Sequence, residues 1–117
     1  MIQLAADIPR TEKAWGAEHL ICNAGGYCGK LLSLNKGWQC SLHHHVIKDE
    51  VLYVRSGRVR FQLEYETFVM LPGDSIRVLS GQKHRFAGLE DSEIIEFSTH
   101  DEPSDSYRLT QSGPMTE

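Results

Sequence analysis

His43, His44 and His45 run consecutively through the middle of the 117-residue chain, and Glu50 follows five residues after the last of them. Such a run can be a metal site, a pH-sensitive patch or ordinary packing; being internal, it does not read as an expression tag. On an extended strand, side chains alternate sides, so His43 and His45 point one way and His44 the other. Two imidazoles at i and i+2 can bind one ion. Glu50 lies past the polar turn Ile47-Lys48-Asp49, where it begins the next strand and can swing back over the same site. A third imidazole comes later, in LPGDSIRVLSGQKHRFAG, which reads as strand, tight turn, strand, tight turn, then His84. A hairpin strand returning across a barrel places His84 opposite His43 and His45. Three neutral imidazoles and one carboxylate leave up to two positions of an octahedron for water or substrate. That set suits Fe, Mn, Ni, Co or Zn, and Cu is compatible.

These side chains need a β framework to hold them. From about Glu18 onward, short apolar stretches alternate with turn residues every eight to twelve positions, the rhythm of an all-β sandwich or barrel. The alternation is clearest in RVRFQLEY, where Val59, Phe61, Leu63 and Tyr65 share one face and Arg58, Arg60, Gln62 and Glu64 the other. Further strands are expected over 19–23, 28–35, 40–45, 50–55, 67–71, 75–79, 83–88 and 92–99. Glycine and proline punctuate the turns at 35–37, 56–57, 72–74 and 80–81. No segment keeps a helical period. Closing these strands into a barrel or jelly roll buries the inner face and removes free edges. The chain reads as one domain over 1–117, with an N-terminal arm (1–14), a barrel (15–100) and a C-terminal tail (101–117).

Composition narrows the partners. The formal net charge of -4 argues against nucleic acid or an anionic membrane as a partner. No apolar run reaches the roughly 18 residues of a membrane helix, and the first residues show no signal-peptide pattern. Cys22, Cys28 and Cys40 are odd in number and lack zinc-finger spacing, so they read as reduced, mostly buried thiols of a cytoplasmic protein. The expected partners are a small molecule and, since a small barrel with an unused N-terminal arm favours a symmetric pair, a second copy in a homodimer.

The histidines belong to a longer pattern. G-x5-H-x-H-x4-E-x6-G is met by Gly37, His43, His45, Glu50 and Gly57. Its companion G-x5-P-x-G-x2-H-x3-N is met by Gly73, Gly81 and His84, with Leu79 in place of proline and Gly88 in place of asparagine. On these motifs the chain resembles the cupins over roughly residues 30 to 100. The resemblance implies a double-stranded β-helix of the jelly-roll type. It also implies that His43, His45, Glu50 and His84 bind one divalent transition metal ion. The flanks EKAWG (12–16) and IIEFSTHDEPSDSYRL (94–109) are similar to the C-terminal cupin of mannose-6-phosphate isomerases. Here His43 stands where those proteins have glutamine, Lys48 where they have arginine and Ala14 where they have proline.

That likeness implies a sugar or sugar-phosphate isomerase. The metal would polarise a carbonyl oxygen and stabilise an enediolate. Glu96, matching a glutamate of the relatives, is the expected base, its pKa raised inside an apolar barrel. Phe86, two residues beyond His84, is the expected pocket wall, and Lys48 and Arg108 the expected substrate contacts. A small iron-dependent dioxygenase and a non-catalytic sugar- or acid-binding module would use the same ligand set. His44 is expected to point away from the ion into packing or an interface, and His19 and His100 carry no assigned role.

Overall fold

The computed structural model describes residues 1–116. Its strands, in chain order, are β1 (Arg10–Lys13), β2 (Gly16–Ala24), β3 (Tyr27–Leu34), β4 (Trp38–Gln39), β5 (His43–His44), β6 (Glu50–Ser56), β7 (Val59–Leu63), β8 (Thr67–Met70), β9 (Ser75–Val78), β10 (His84–Gly88), β11 (Ser92–Thr99), β12 (Tyr107–Arg108) and β13 (Gly113–Pro114). Two antiparallel sheets face each other. One runs β1-β2-β3-β11-β6-β9; in the other, β10 pairs with β7 on one side and with β5 and β4 on the other. Between them lies a core that includes Leu34, Val54, Val59, Phe61 and Ile94. Among the described residues, no helix is long and apolar enough to cross a membrane.

Alternation decides which side chains enter this core. Inward positions are Lys30, Leu32 and Leu34 on β3, Glu50, Leu52 and Val54 on β6, and Ile94 and Glu96 on β11. Register then sorts them into two halves. Ile94 pairs with Leu32 and Val54, while Glu96 pairs with Lys30 and Leu52. One end of the barrel is therefore apolar, and the other carries charge. At Gly57 the chain turns with φ 87° against the strand opposite. A Cβ there would lie 2.7 Å from Ser92 Cα and nearer still to the Asp91 carbonyl oxygen, so only glycine fits.

Several expected boundaries move. Residues 10–13, expected within an arm, form the edge strand β1 against β2. The tail adds β12 beside β5 and β13 beside β4, while Glu117 lies outside the described residues. Of the strand expected over 40–45 only β5 forms, with β4 just ahead of it, and N–H groups in the gap between them bond to the C-terminal segment. Ser41 N–H donates to Ser112 Oγ (3.0 Å) and Leu42 N–H to Thr110 Oγ1 (2.9 Å). Tyr65, expected on the inner face, lies beyond the end of β7 and is exposed.

Candidate metal centre

His43 opens β5 and His45 follows it, while His84 opens β10, and Cα pairing sets His84 directly opposite His43. One ring nitrogen from each of the three lies within 4.8 Å of the others. Every Nδ1 meets a main-chain carbonyl: His43 with Ser41 at 2.7 Å, His45 with Asp105 at 2.8 Å, His84 with Gln82 at 2.9 Å. A carbonyl can only accept, so each Nδ1 carries the hydrogen, and in the neutral ring Nε2 is then the nitrogen left to coordinate. Burial, reinforced by His84, pushes the His43 pKa down to about 3, and burial with Lys48 lowers that of His45. Both rings are thus neutral near neutral pH and able to coordinate.

Glu50, at the start of β6, stands beside this trio. Its Oε1 is 3.1 Å from His84 Nε2, and its Oε2 is 3.1 Å from Lys48 Nζ. Burial alone would raise its pKa, but His84 and the Lys48 charge reverse this and hold it at about 2. With a hydrogen on His84 Nε2 this contact is the hydrogen bond that lowers Glu50; with that nitrogen as a lone pair it is a contact between two acceptors, which a cation between them relieves. Glu50 Oε2 is buried without a well-formed hydrogen bond; the ion pair to Lys48 meets the distance but not the alignment. Three lone pairs, one ionised carboxylate and fixed outer partners fit a divalent transition metal.

Lys48, expected at the substrate, is buried and already committed. Its Nζ lies 3.2 Å from Glu96 Oε2 and 3.2 Å from Asp101 Oδ1, besides Glu50. Burial would lower its pKa, but the three carboxylates raise it, so it stays charged. Asp101 also holds Lys30 at 3.1 Å, and Lys30 holds Glu18 at 2.8 Å. Glu96 is 5 % exposed. Burial raises its pKa and Glu50 adds to the rise, partly offset by Lys48 and Lys30. Its Oε2 also accepts from Ser98 Oγ at 3.2 Å.

These groups share a cavity of about 380 Å³, lined by the three histidines, Glu50, Glu96 and Lys48 and walled by Trp15, Leu52 and Phe86. Phe86 meets Trp15 edge-on, with ring centroids 5.1 Å apart. Arg108, exposed on β12, stands at the rim. His44 points away and stacks on Tyr107 at 5.3 Å. His19 meets Ser33 and His100 meets Glu102, both outside the cavity. The three cysteines are free, and burial pushes the Cys40 thiol up to about 12, leaving it unreactive. Sequence reasoning missed Asp101 and Asp105; the acidic stretch at 101–105 was the available signal.

The family model described as "Cupin domain" matches residues 30–98. No curated protein sequence matches the chain. Among solved structures, a uridine-bound Streptomyces PAC13 variant is 16% identical with TM-score 0.83, covering 95% of this chain and 91% of that one. An RmlC-like cupin from Shewanella frigidimarina is 14% identical with TM-score 0.78, covering 87% and 92%. KdgF from a Halomonas species is 18% identical with TM-score 0.77, covering 86% and 94%. At these identities the likeness carries the fold and not the activity.

Proposed function

The chain belongs to the cupin domain family, and on that premise we propose that it is a metal-dependent isomerase of a small hydroxy-carbonyl compound, a sugar or sugar phosphate. The observation that carries the reading is Glu96. It is a buried carboxylate with a raised pKa, lining the same cavity as three convergent imidazoles.

His43, His45 and His84, with Glu50 beside them, would hold the ion; once bound, it supplies Lewis acidity at a substrate oxygen. The chain's own part is proton transfer. Glu96 takes the proton from the carbon bearing the hydroxyl and returns it to the neighbouring carbon, while the hydroxyl proton passes to the former carbonyl oxygen. Lys48, a charged donor 3.2 Å from Glu96, holds the carboxylate in place and steadies its charge between the two steps. Phe86 and Trp15 form an apolar wall that keeps bulk water from the transferred proton. Arg108 at the rim is placed for a substrate phosphate or carboxylate, because Lys30 and Lys48 deeper in are already paired.

The test is deuterium exchange. Protein loaded in turn with Mn, Fe, Co, Ni or Zn is held without oxygen in D2O with a panel of aldoses, ketoses and their phosphates. Deuterium should appear by NMR at the carbon next to the carbonyl. Glu96→Gln should slow this by about 100-fold or more, with metal content unchanged by elemental analysis. A product that forms only with oxygen would replace this reading with a dioxygenase. Ligand-dependent thermal stabilisation without exchange under any metal would replace it with a binding module.

A further inference from the structure

His45 is the least supported of the three histidines by its own sheet. β5 ends at His44, so the ring that must face the ion hangs from the first residue beyond the ladder. What holds it comes from sixty positions away. Its Nδ1 donates to the main-chain carbonyl of Asp105 at 2.8 Å. That carbonyl sits at the end of the short 3-10 turn Pro103–Asp105, and the turn is pinned by the side chain of the same residue. Asp105 Oδ1 accepts from Val46 N–H at 2.9 Å and Ile47 N–H at 3.2 Å, and Oδ2 accepts from Lys48 N–H at 3.0 Å. Asp105 is 4 % exposed.

We propose that Asp105 is the positioning residue of the metal centre, its carboxylate gripping loop 46–48 so that its own carbonyl orients His45. The inference rests on the metal-binding reading above. The geometry makes a closed loop: the carboxylate fixes the segment directly after His45, and the carbonyl fixes the ring of His45. The same grip sets the path from His45 to Glu50, so one residue of the C-terminal segment organises two candidate ligands. An imidazole that loses such a partner samples both tautomers and other ring orientations, and outer partners of metal-bound histidines typically affect affinity by about 10–100-fold. Asp105 touches neither the ion's place nor the cavity, so it acts only through His45 and the loop.

Two readouts test this. In the metal-free protein, long-range proton–nitrogen NMR should show His45 as the Nδ1–H tautomer, and Asp105→Ala should convert it to an averaged mixture while His84 is unchanged. In chelator competition, Asp105→Ala should weaken Co(II) and Zn(II) binding by about 10–100-fold and alter the visible Co(II) spectrum. Asp105→Asn, which keeps one acceptor oxygen but turns its NH2 toward a main-chain N–H, should restore part of both. If Asp105→Ala does not fold, Asp105→Ser, with a single short acceptor, is read the same way. Wild-type affinity and an unchanged His45 tautomer in the variant would overturn the proposal. If wild-type protein binds neither metal, the metal reading fails separately, and the tautomer comparison still decides the role of Asp105.

Discussion

Lys48→Met probes the charged half of the barrel directly. Methionine keeps most of the lysine stem and removes the ammonium that faces Glu50, Glu96 and Asp101 at 3.1, 3.2 and 3.2 Å. Removing one partner of a buried pair costs about 3–5 kcal/mol, because the other charge stays buried and uncompensated. Unfolding entropy of about 2 cal/mol/K per residue makes each kcal/mol worth about 4 °C in a chain of 117 residues. The metal-free variant should therefore melt about 12–20 °C below wild type near neutral pH. The deficit should shrink in mild acid. The Glu96 pKa is already raised by burial and by Glu50, and Lys48 opposes the rise. Without Lys48 it climbs further, so the folded chain keeps a proton that the unfolded chain loses above its ordinary carboxyl pKa of about 4.3. At Glu96 the folded state then binds more protons, and this contribution narrows the gap to wild type as pH falls from about 7 to about 5. Urea denaturation at both pH values measures this. A loss below about 1 kcal/mol, or one equal at both, would refute the account of a buried, mutually dependent charge cluster.

Three further outcomes are expected. His84→Ala should reduce metal affinity by about 100-fold or more, exceeding the effect of an outer partner, whereas His44→Ala should leave metal content at the wild-type level by elemental analysis. The metal-free protein should lose stability in acid. His43 is lowered to about 3 by burial and His84, and burial with Lys48 lowers His45, so the unfolded chain binds more protons below the ordinary histidine value; Glu50, held at about 2, adds to this only below the ordinary carboxyl value. Each such group removes up to about 1.4 kcal/mol per pH unit as pH falls, and a flat denaturation midpoint between about pH 6.5 and 4 would contradict those environments. The outer face of the six-stranded sheet exposes Tyr27 and Phe97, with Phe97 set between Gly29 and Val51. We expect this face to form a homodimer, with light scattering giving twice the chain mass for wild type and a single mass for Phe97→Lys.

Much of this arrangement was legible in the sequence because strand periodicity is local. The alternation in SEIIEFST puts Ile94 and Glu96 on one face whatever lies beyond, and H-x-H does the same for His43 and His45. What escaped notice was long-range. Lys48 in a polar turn is expected at the substrate, and only the folded chain brings Glu96 and Asp101 to it. Asp105 lies in a segment with no periodicity, and its acceptors meet loop N–H groups 57 to 59 residues earlier in the chain. The break between β4 and β5 was hidden for the same reason, since Thr110 and Ser112 satisfy N–H groups that a neighbouring strand would otherwise take.

The placement of charge argues for function over stability. Lys30, Lys48, Glu50, Glu96 and Asp105 are all more than nine-tenths buried. Buried ion pairs are often no better for stability than apolar residues of similar volume, and replacing both partners can even stabilise a fold. The same strands show that this barrel can be filled with hydrophobes, for Leu34, Val54 and Ile94 do so at the other end. The charged half instead coincides with the cavity that holds the three imidazoles. A core selected for stability alone has no reason to divide that way, whereas a site that must move a proton beside a cation does. Replacing Lys48 and Glu96 together, as Lys48→Met with Glu96→Leu, should therefore recover part of the stability lost in Lys48→Met, Glu50 remaining without its ammonium partner. The double variant should still fail in proton exchange. If it stays as unstable as Lys48→Met, the paired charges hold the barrel together, and the division of its interior needs a structural explanation.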